Sequence, residues 1–210
     1  MKNVSQKDIM LPLIRKTSSI SIEEAILARR SVREFINIPL ELEAVSQLLW
    51  AAQGLTGPKG LRTAPSAGGI YPVRIYVVSG NVTGLEKGLY QYHAEENRLS
   101  LQHGEDKRDQ MITATFNHDW IKNSPAILVL AAHPEMMEKK YGEPAKRYID
   151  MEIGHIAQNI HLQAVSLDLG TVVVVAFDEK KLKHILCIPE SEKVIYLMPV
   201  GKPEIPAKKE

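Results

Sequence analysis

Fifteen consecutive residues, Ile153 to Leu167, contain no Asp, Glu, Lys or Arg. They sit inside a longer stretch, Tyr148 to Leu169, in which Ile149, Ile153, Ile156, Ile160, Ala164 and Leu167 share one stripe at helical spacing. Such a helix would be about 33 Å long at 1.5 Å per residue. A surface helix normally keeps a charged face, so one without it is covered on most sides. In a chain of 210 residues this means the middle of the domain or a contact between subunits. The second face, Ala157, Asn159, Leu162 and Ser166, is also uncharged and would form a large apolar patch on an isolated chain. An isologous two-fold contact removes such a patch, so a homodimer is expected.

The remaining pattern mixes strands and helices without a regular βαβ alternation, which favours an α+β fold. Ser21-Ile22-Glu23-Glu24 is a capping box that opens a helix with Ile22, Ala25 and Ile26 on one face. Leu42, Val45, Leu48, Leu49 and Ala52 follow at helical spacing, with Gly54 as C-cap. Residues 54–69 form a Gly/Pro-rich loop whose length points to function. Strands are expected at Ile75–Val78, Ala126–Ala132, Thr171–Ala176 and Lys193–Val200, with a hairpin from Leu89–His93 and Arg98–Gln102. Residues 106–116 and Asp178–Leu186 are expected as helices, the latter capped by Asp178. The expected organisation is an N-terminal arm (1–20), one domain (21–203) and a short tail (204–210).

Composition excludes several classes of function. Twenty-six Lys+Arg against 25 Asp+Glu give a formal charge of +1, no electrostatic case for nucleic acid or an anionic membrane. The longest apolar runs are strand-length, far short of a membrane span. No signal-peptide pattern opens the chain, and its lone Cys187 suits a reducing compartment, so a cytoplasmic protein is expected. Cys187 itself reads as a small buried hydrophobe. Glu152-x-x-His155 has a spacing used in carboxylate metal sites, but no second copy exists, and the histidines read as buried and hydrogen-bonded; no metal site is expected. Ala64-Pro65-Ser66-Ala67-Gly68 resembles a nucleophile elbow but lacks the flanking strand and helix.

Arg29-Arg30-Ser31-Val32-Arg33 offers three guanidiniums and a hydroxyl in five residues, donors suited to phosphate. Spacing alone leaves a solvated basic patch equally open. Ser66 to Gly69 adds backbone amides unobstructed by large side chains, suited to a planar or anionic ligand or to a plain surface turn.

Taken in order, the segments RRSVREF, LLWAAQG, APSAGGIYP, GHIAQN, LGTVVVVAFD and LMPVGKP resemble the FMN-dependent nitroreductase family. The likeness covers about residues 20–203 and is strongest to the branch with azoline-oxidising dehydrogenases of peptide modification. It implies a nitroreductase-like fold, a central and mainly antiparallel sheet flanked by helices, and a homodimer with two FMN molecules at the interface. It implies that Arg29, Arg30 and Ser31 serve the flavin phosphate and that Arg33 approaches the pyrimidine edge. There a fixed cation stabilises the anionic reduced flavin. Pro65, Ser66, Ala67, Gly68 and Gly69 would meet the ring from the other subunit. Val173, Val174, Val175 and Ala176 match the strand end whose amide points at flavin N5, with Val175 where this branch tends to carry glycine. Gly201 and Lys202 match a phosphate segment, with Lys208 and Lys209 as further candidates for late positive charge. The implied activity is hydride transfer from NADH or NADPH to a small acceptor, a nitro compound or quinone, in a ping-pong cycle. The flavin does the chemistry, so no catalytic side chain is named. The alternatives are an azoline dehydrogenase or a flavin-binding protein with little turnover.

Overall fold

The computed structural model describes residues 8–116 and 118–204. In chain order the strands are β1 (Asp8–Met10), β2 (Leu40–Glu41), β3 (Val73–Ser79), β4 (Val82–Thr83), β5 (Gly88–His93), β6 (Arg98–His103), β7 (Ala126–Ala132), β8 (Gly170–Thr171) and β9 (Lys193–Gly201). The helices are α1 (Ile22–Ala28), α2 (Leu42–Gln53), α3 (Arg108–Ile112), α4 (Pro134–Tyr141), α5 (Ala145–Ser166) and α6 (Glu179–Leu186). Seven strands form one sheet in the order β1-β6-β5-β3-β7-β9-β8, each neighbouring pair antiparallel; β2 and β4 pair in parallel beside it. The architecture is the expected α+β.

Helices cover both faces of the sheet. On one, Ile153, Ile156, Ile160 and Ala164 of α5 and Val45, Leu48 and Leu49 of α2 pack against Val73, Ile75, Val77, Leu128, Leu130 and Met198. On the other, Met111 of α3 and Leu182 and Leu186 of α6 meet Tyr76, Val78, Ile127, Val129 and Leu197. Coverage on both sides explains why β7 reads as an unbroken apolar run although its neighbours are antiparallel. Among the described residues no helix is long and apolar enough to cross a membrane.

Several expectations need correction. The expected arm contributes β1, which pairs with Arg98–Ser100 and carries the Asp8–Arg98 ion pair at 2.9 Å; residues 1–7 lie outside the described set, as do Lys208 and Lys209. The helix expected over 106–116 is only α3, and α4 had no counterpart in the sequence reading. The expected strand Thr171–Ala176 reduces to β8 and one bridge between Val174 and Leu197. The β8–β9 register continues from Thr171↔Val200 to Val174↔Leu197, which sets Val172 opposite Pro199. Proline has no N–H for that rung, so the ladder breaks there. Cys187 is exposed rather than buried: it takes the left-handed position closing α6 (φ +53°), and Ile188 fills the core instead.

α5 begins three residues before the expected Tyr148 and ends in a Schellman motif. Leu169 N–H bonds Ala164 O at 2.8 Å and Asp168 N–H bonds Val165 O at 2.9 Å, with Asp168 left-handed at φ +59°. That turn delivers Gly170 and Thr171 to the end of β9. The face that α5 leaves uncovered also differs from expectation. Ala157 is buried, and the exposed positions are the charged Lys146, Arg147 and Asp150 in the first turns and then Met151 (48% exposed), His155 and Gln158, so the exposed stripe is without charge from Met151 onward.

Candidate functional site

The first cluster is assembled by main chain. The Ser21 hydroxyl and Glu24 carboxylate form the expected capping box of α1. The chain leaving α1 then runs alongside β8: Ser31 bridges Thr171 in parallel, and Val32 N–H donates to Thr171 O at 3.0 Å. Further on, Ile36 N–H donates to Lys202 O at 3.0 Å and Phe35 pairs with Pro203. Arg29–Arg33, Thr171–Ala176 and Gly201–Lys202 are thereby brought together beyond the C-terminal end of α5. Close approach requires glycine at 170, where a Cβ would lie 2.6 Å from Val32 Cγ2.

The side chains in this cluster have distinct states. Arg29 and Arg33 make no ion pair among the described residues. Arg30 turns back to donate to the carbonyls of Leu27 and Arg29, at 2.8 and 2.9 Å. Lys202 pairs with Asp168. Thr171 Oγ1 is buried without a hydrogen-bond partner among the described residues. Val174 exchanges both backbone bonds with Leu197, while Val175 stands 62% exposed, its N–H without a backbone partner among the described residues. His161 of α5, which sequence reasoning left as an ordinary buried histidine, is 8% exposed beside Arg29. Burial, and then the Arg29 charge, lower its pKa to about 4, so it is neutral there.

The second cluster, Pro65–Gly69, lies toward the other end of α5 and is held by side chains. Ser66 Oγ accepts Tyr71 N–H at 2.9 Å, with Tyr71 itself left-handed at φ +53°. Gly68, at φ +62°, packs under α4: a Cβ there would meet Lys140 Nζ and Tyr141 Oη at 2.5 Å. Beneath the loop, Glu152 is 2% exposed and accepts from Gln53 Nε2 at 3.3 Å; Gln53 Oε1 in turn accepts from Arg62 at 3.2 Å. Burial raises the Glu152 pKa to about 7, against the lowering effects of Ser66 and Arg62. His155, its partner in the metal-like spacing, is exposed. A cleft of about 410 Å³ opens beside Gly69, lined by Gln53, Arg62, Tyr71 and Arg74 among others.

Sequence reasoning named both clusters but missed Thr171, Lys140, Tyr141 and the role of Glu152. The Glu152 signal was present: it is a charge on the stripe that Ile149 and Ile156 define. Within one chain the clusters stay apart. No hydrogen bond or ion pair among the described residues links 65–69 to 29–33, 171–176 or 201–202. Glu152 and Ser166 are separated by about 21 Å of helix.

The chain as a whole is similar to several known proteins. A protein of Methanocaldococcus jannaschii that carries nitroreductase in its name is 40% identical over 195 residues, covering 93% of this chain and 96% of the relative. A Ralstonia eutropha structure, also named a nitroreductase, superposes with TM-score 0.85 at 29% identity, covering 97% of this chain and 93% of that one. The fold alone is shared with the NADPH:FMN oxidoreductase of Vibrio harveyi complexed with NAD+, at TM-score 0.66 and 20% identity over 90% of this chain and 71% of that one. The sequence profile of the nitroreductase family matches residues 26–202, and the chain belongs to that family.

Proposed function

We propose that the protein is a homodimeric, FMN-dependent oxidoreductase that takes hydride from NADH or NADPH and reduces a small acceptor, a nitro compound or quinone, in a ping-pong cycle. The observation that carries this reading is the placement of two ligand-ready clusters toward opposite ends of α5, with an uncharged, uncovered stripe between them. Met151, His155 and Gln158 line that stripe, and Ile22, Ile26 and Leu27 of α1 add exposed apolar surface. A second copy packed in the reverse direction would cover the stripe and bring the 65–69 loop of one chain to the 29–33 cluster of the other.

The residues present fit FMN. The phosphate finds the Arg29 guanidinium, which makes no ion pair among the described residues, the Ser31 hydroxyl and the orphaned Thr171 hydroxyl, which lacks a partner among the described residues. Arg29, Ser31, Thr171 and Lys202 would hold it, Lys202 by exchanging its Asp168 partner. The Val175 N–H supplies a donor for the ring, and Gly69 leaves open space where a Cβ would stand. Arg33 adds a cation for the ring edge, and Arg30, bonded to α1, serves the turn instead. Bound FMN would carry the hydride between donor and acceptor. The protein positions the ring, excludes water by pairing, and fixes positive charge where electron density accumulates. The Vibrio harveyi protein of the same fold, an NADPH:FMN oxidoreductase complexed with NAD+, supports this choice of cofactor and hydride donor.

The test is a visible spectrum. Protein reconstituted with FMN should retain it at micromolar concentration, and its flavin bands should bleach when NADH or NADPH is added without oxygen. Failure to retain FMN would overturn the reading. Retention without bleaching would point to the azoline-oxidising direction or to a flavin carrier.

A further inference from the structure

Glu152 occupies a position on α5 where packing against the sheet asks for an apolar side chain, yet it is a carboxyl with almost no exposure. Its surroundings form a connected polar cluster drawn from three elements. Gln53 at the end of α2 donates to Oε1, and Gln53 is itself fixed by Arg62 from the 54–69 loop. Arg62 lies over the Tyr71 ring at 4.7 Å from its centroid and pairs with Glu95 behind it. Oε2 is buried and has no partner in hydrogen-bond geometry among the described residues. The Ser66 hydroxyl faces the carboxyl closely enough to favour its charged form.

We propose that Glu152 is a positioning residue for the 65–69 loop, acting through Ser66. When its proton is on, the Ser66 hydroxyl is free to donate to a bound ligand; when it is off, the hydroxyl is drawn inward. The balance of donors and acceptors requires this. Ser66 Oγ already accepts Tyr71 N–H, an arrangement set by the left-handed backbone at Tyr71, so what remains to be placed is its single proton. An ionised carboxylate only accepts, and its buried Oε2 lacks a donor. The Ser66 O–H, close enough to act on the carboxyl, turns inward to fill that gap when the carboxyl is charged, because a buried acceptor left unsatisfied is costly. A protonated Glu152 instead donates to Ser66 Oγ, the bond reverses, and the serine proton turns toward the face of the loop.

Few other groups bear on this equilibrium. Arg62 is the charged side chain that acts on the carboxyl, lowering its pKa, while burial, the larger effect, raises it to about 7. On α4, Lys140 and Tyr141 meet the loop at Gly68. Tyr148 and His155, one turn away on α5, make no hydrogen bond to the carboxyl. Gln53 cannot reverse its amide to compensate without losing Arg62.

The inference rests on reading 65–69 as a ligand-contacting loop, and two measurements separate its failure from the failure of that reading. In ligand-free protein, isotope-edited infrared titration should show the protonated Glu152 carbonyl band fading with a midpoint about 7. The band should be absent in Glu152→Gln, and its midpoint should move upward in Ser66→Ala, which removes a donor to the charged form. An unmoved midpoint in Ser66→Ala would overturn the proposal. With FMN, the dissociation constant of the wild type should rise about tenfold between pH 6 and pH 8, as the competent protonated fraction falls. It should stay flat and tight in Glu152→Gln, whose amide mimics the protonated acid, and flat and weak in Ser66→Ala. A wild-type affinity unchanged between pH 6 and 8 would also overturn the proposal. No FMN binding at any pH would instead sink the functional reading, with the infrared titration still deciding the role of Glu152.

Discussion

The two clusters along α5 are built by different means. Around Thr171 the chain is laid down by backbone: parallel pairing of Ser31, antiparallel pairing of β8 with β9, and a glycine where Val32 presses on the main chain. Around Ser66 the loop has little backbone pairing and depends on Ser66, Gln53, Arg62 and a buried carboxyl. The contrast assigns different sensitivities. A backbone-laid cluster tolerates side-chain change except where bulk intrudes, whereas a side-chain-held loop responds to each member of its network and to pH. Both depend on α5, whose inner and outer faces have separate duties.

The largest effect should come from confusing those faces. Ile160 is fully buried against the sheet. Ile160→Asp would place an unpaired charge in the core and cost on the order of 4 kcal/mol, much of the stability of a domain this size. Thermal melting should show the loss. Met151→Asp, on the exposed stripe, should leave the melting transition of the chain near that of an isolated subunit but split the proposed dimer. Sedimentation should then find a 23.5 kDa species that retains FMN at least tenfold less well. If Met151→Asp remains dimeric with FMN bound, the stripe is not the contact.

A smaller effect separates the two arginines of the backbone-laid cluster. Losing a charge-assisted contact removes about 1.5–3 kcal/mol, so Arg29→Ala should weaken FMN binding roughly ten- to hundredfold. Arg33→Ala should leave affinity closer to wild type and lower the flavin midpoint potential, because the reduced anionic ring loses its cation. Fluorescence titration and redox titration of both variants decide the assignment. Exchanged outcomes would exchange the roles, and unchanged values in both would remove the cluster from the flavin.

How far the sequence revealed this arrangement depended on whether the cause was local. The capping box at Ser21, the run Ala126–Ala132 and the charge-free helix were legible because each is a property of its own residues. Thr171–Ala176 was not, because the proline that interrupts its ladder sits in β9. Cys187 misled because a left-handed helix end overrode its preference for burial. The uncovered face of α5 was misplaced by about one residue in rotation: periodicity finds the stripe facing the sheet but not where α2 stops covering the opposite side. The site segments were named from their motifs. Their division into a backbone-laid and a side-chain-held cluster required the fold.

The smallest effect, and the sharpest test of the comparison, uses the two buried titratable groups nine residues apart on α5. Native His161 has its pKa lowered from 6.5 to about 4, so between those values the unfolded chain takes up a proton that the native chain refuses. Its contribution is present above pH 6.5 and is lost as pH falls toward 4. Native Glu152 has its pKa raised from 4.5 to about 7, so the native chain keeps a proton that the unfolded chain has released. Its contribution is present below pH 4.5 and is lost as pH rises toward 7. Each slope is on the order of 1 kcal/mol per pH unit inside its window. The windows overlap from about 4.5 to 6.5 with opposite signs, so in the wild type the two terms oppose one another. Glu192, with a raised pKa, and His93, with a lowered one, titrate elsewhere in the fold, so only differences from wild type are diagnostic. Relative to wild type, Glu152→Gln should tilt stability upward with rising pH across the overlap, and His161→Gln should tilt it downward. Urea unfolding at pH 5, 5.5, 6 and 6.5 reads both slopes. Parallel curves for the two variants would mean that the α5 clusters do not differ in the way their construction requires.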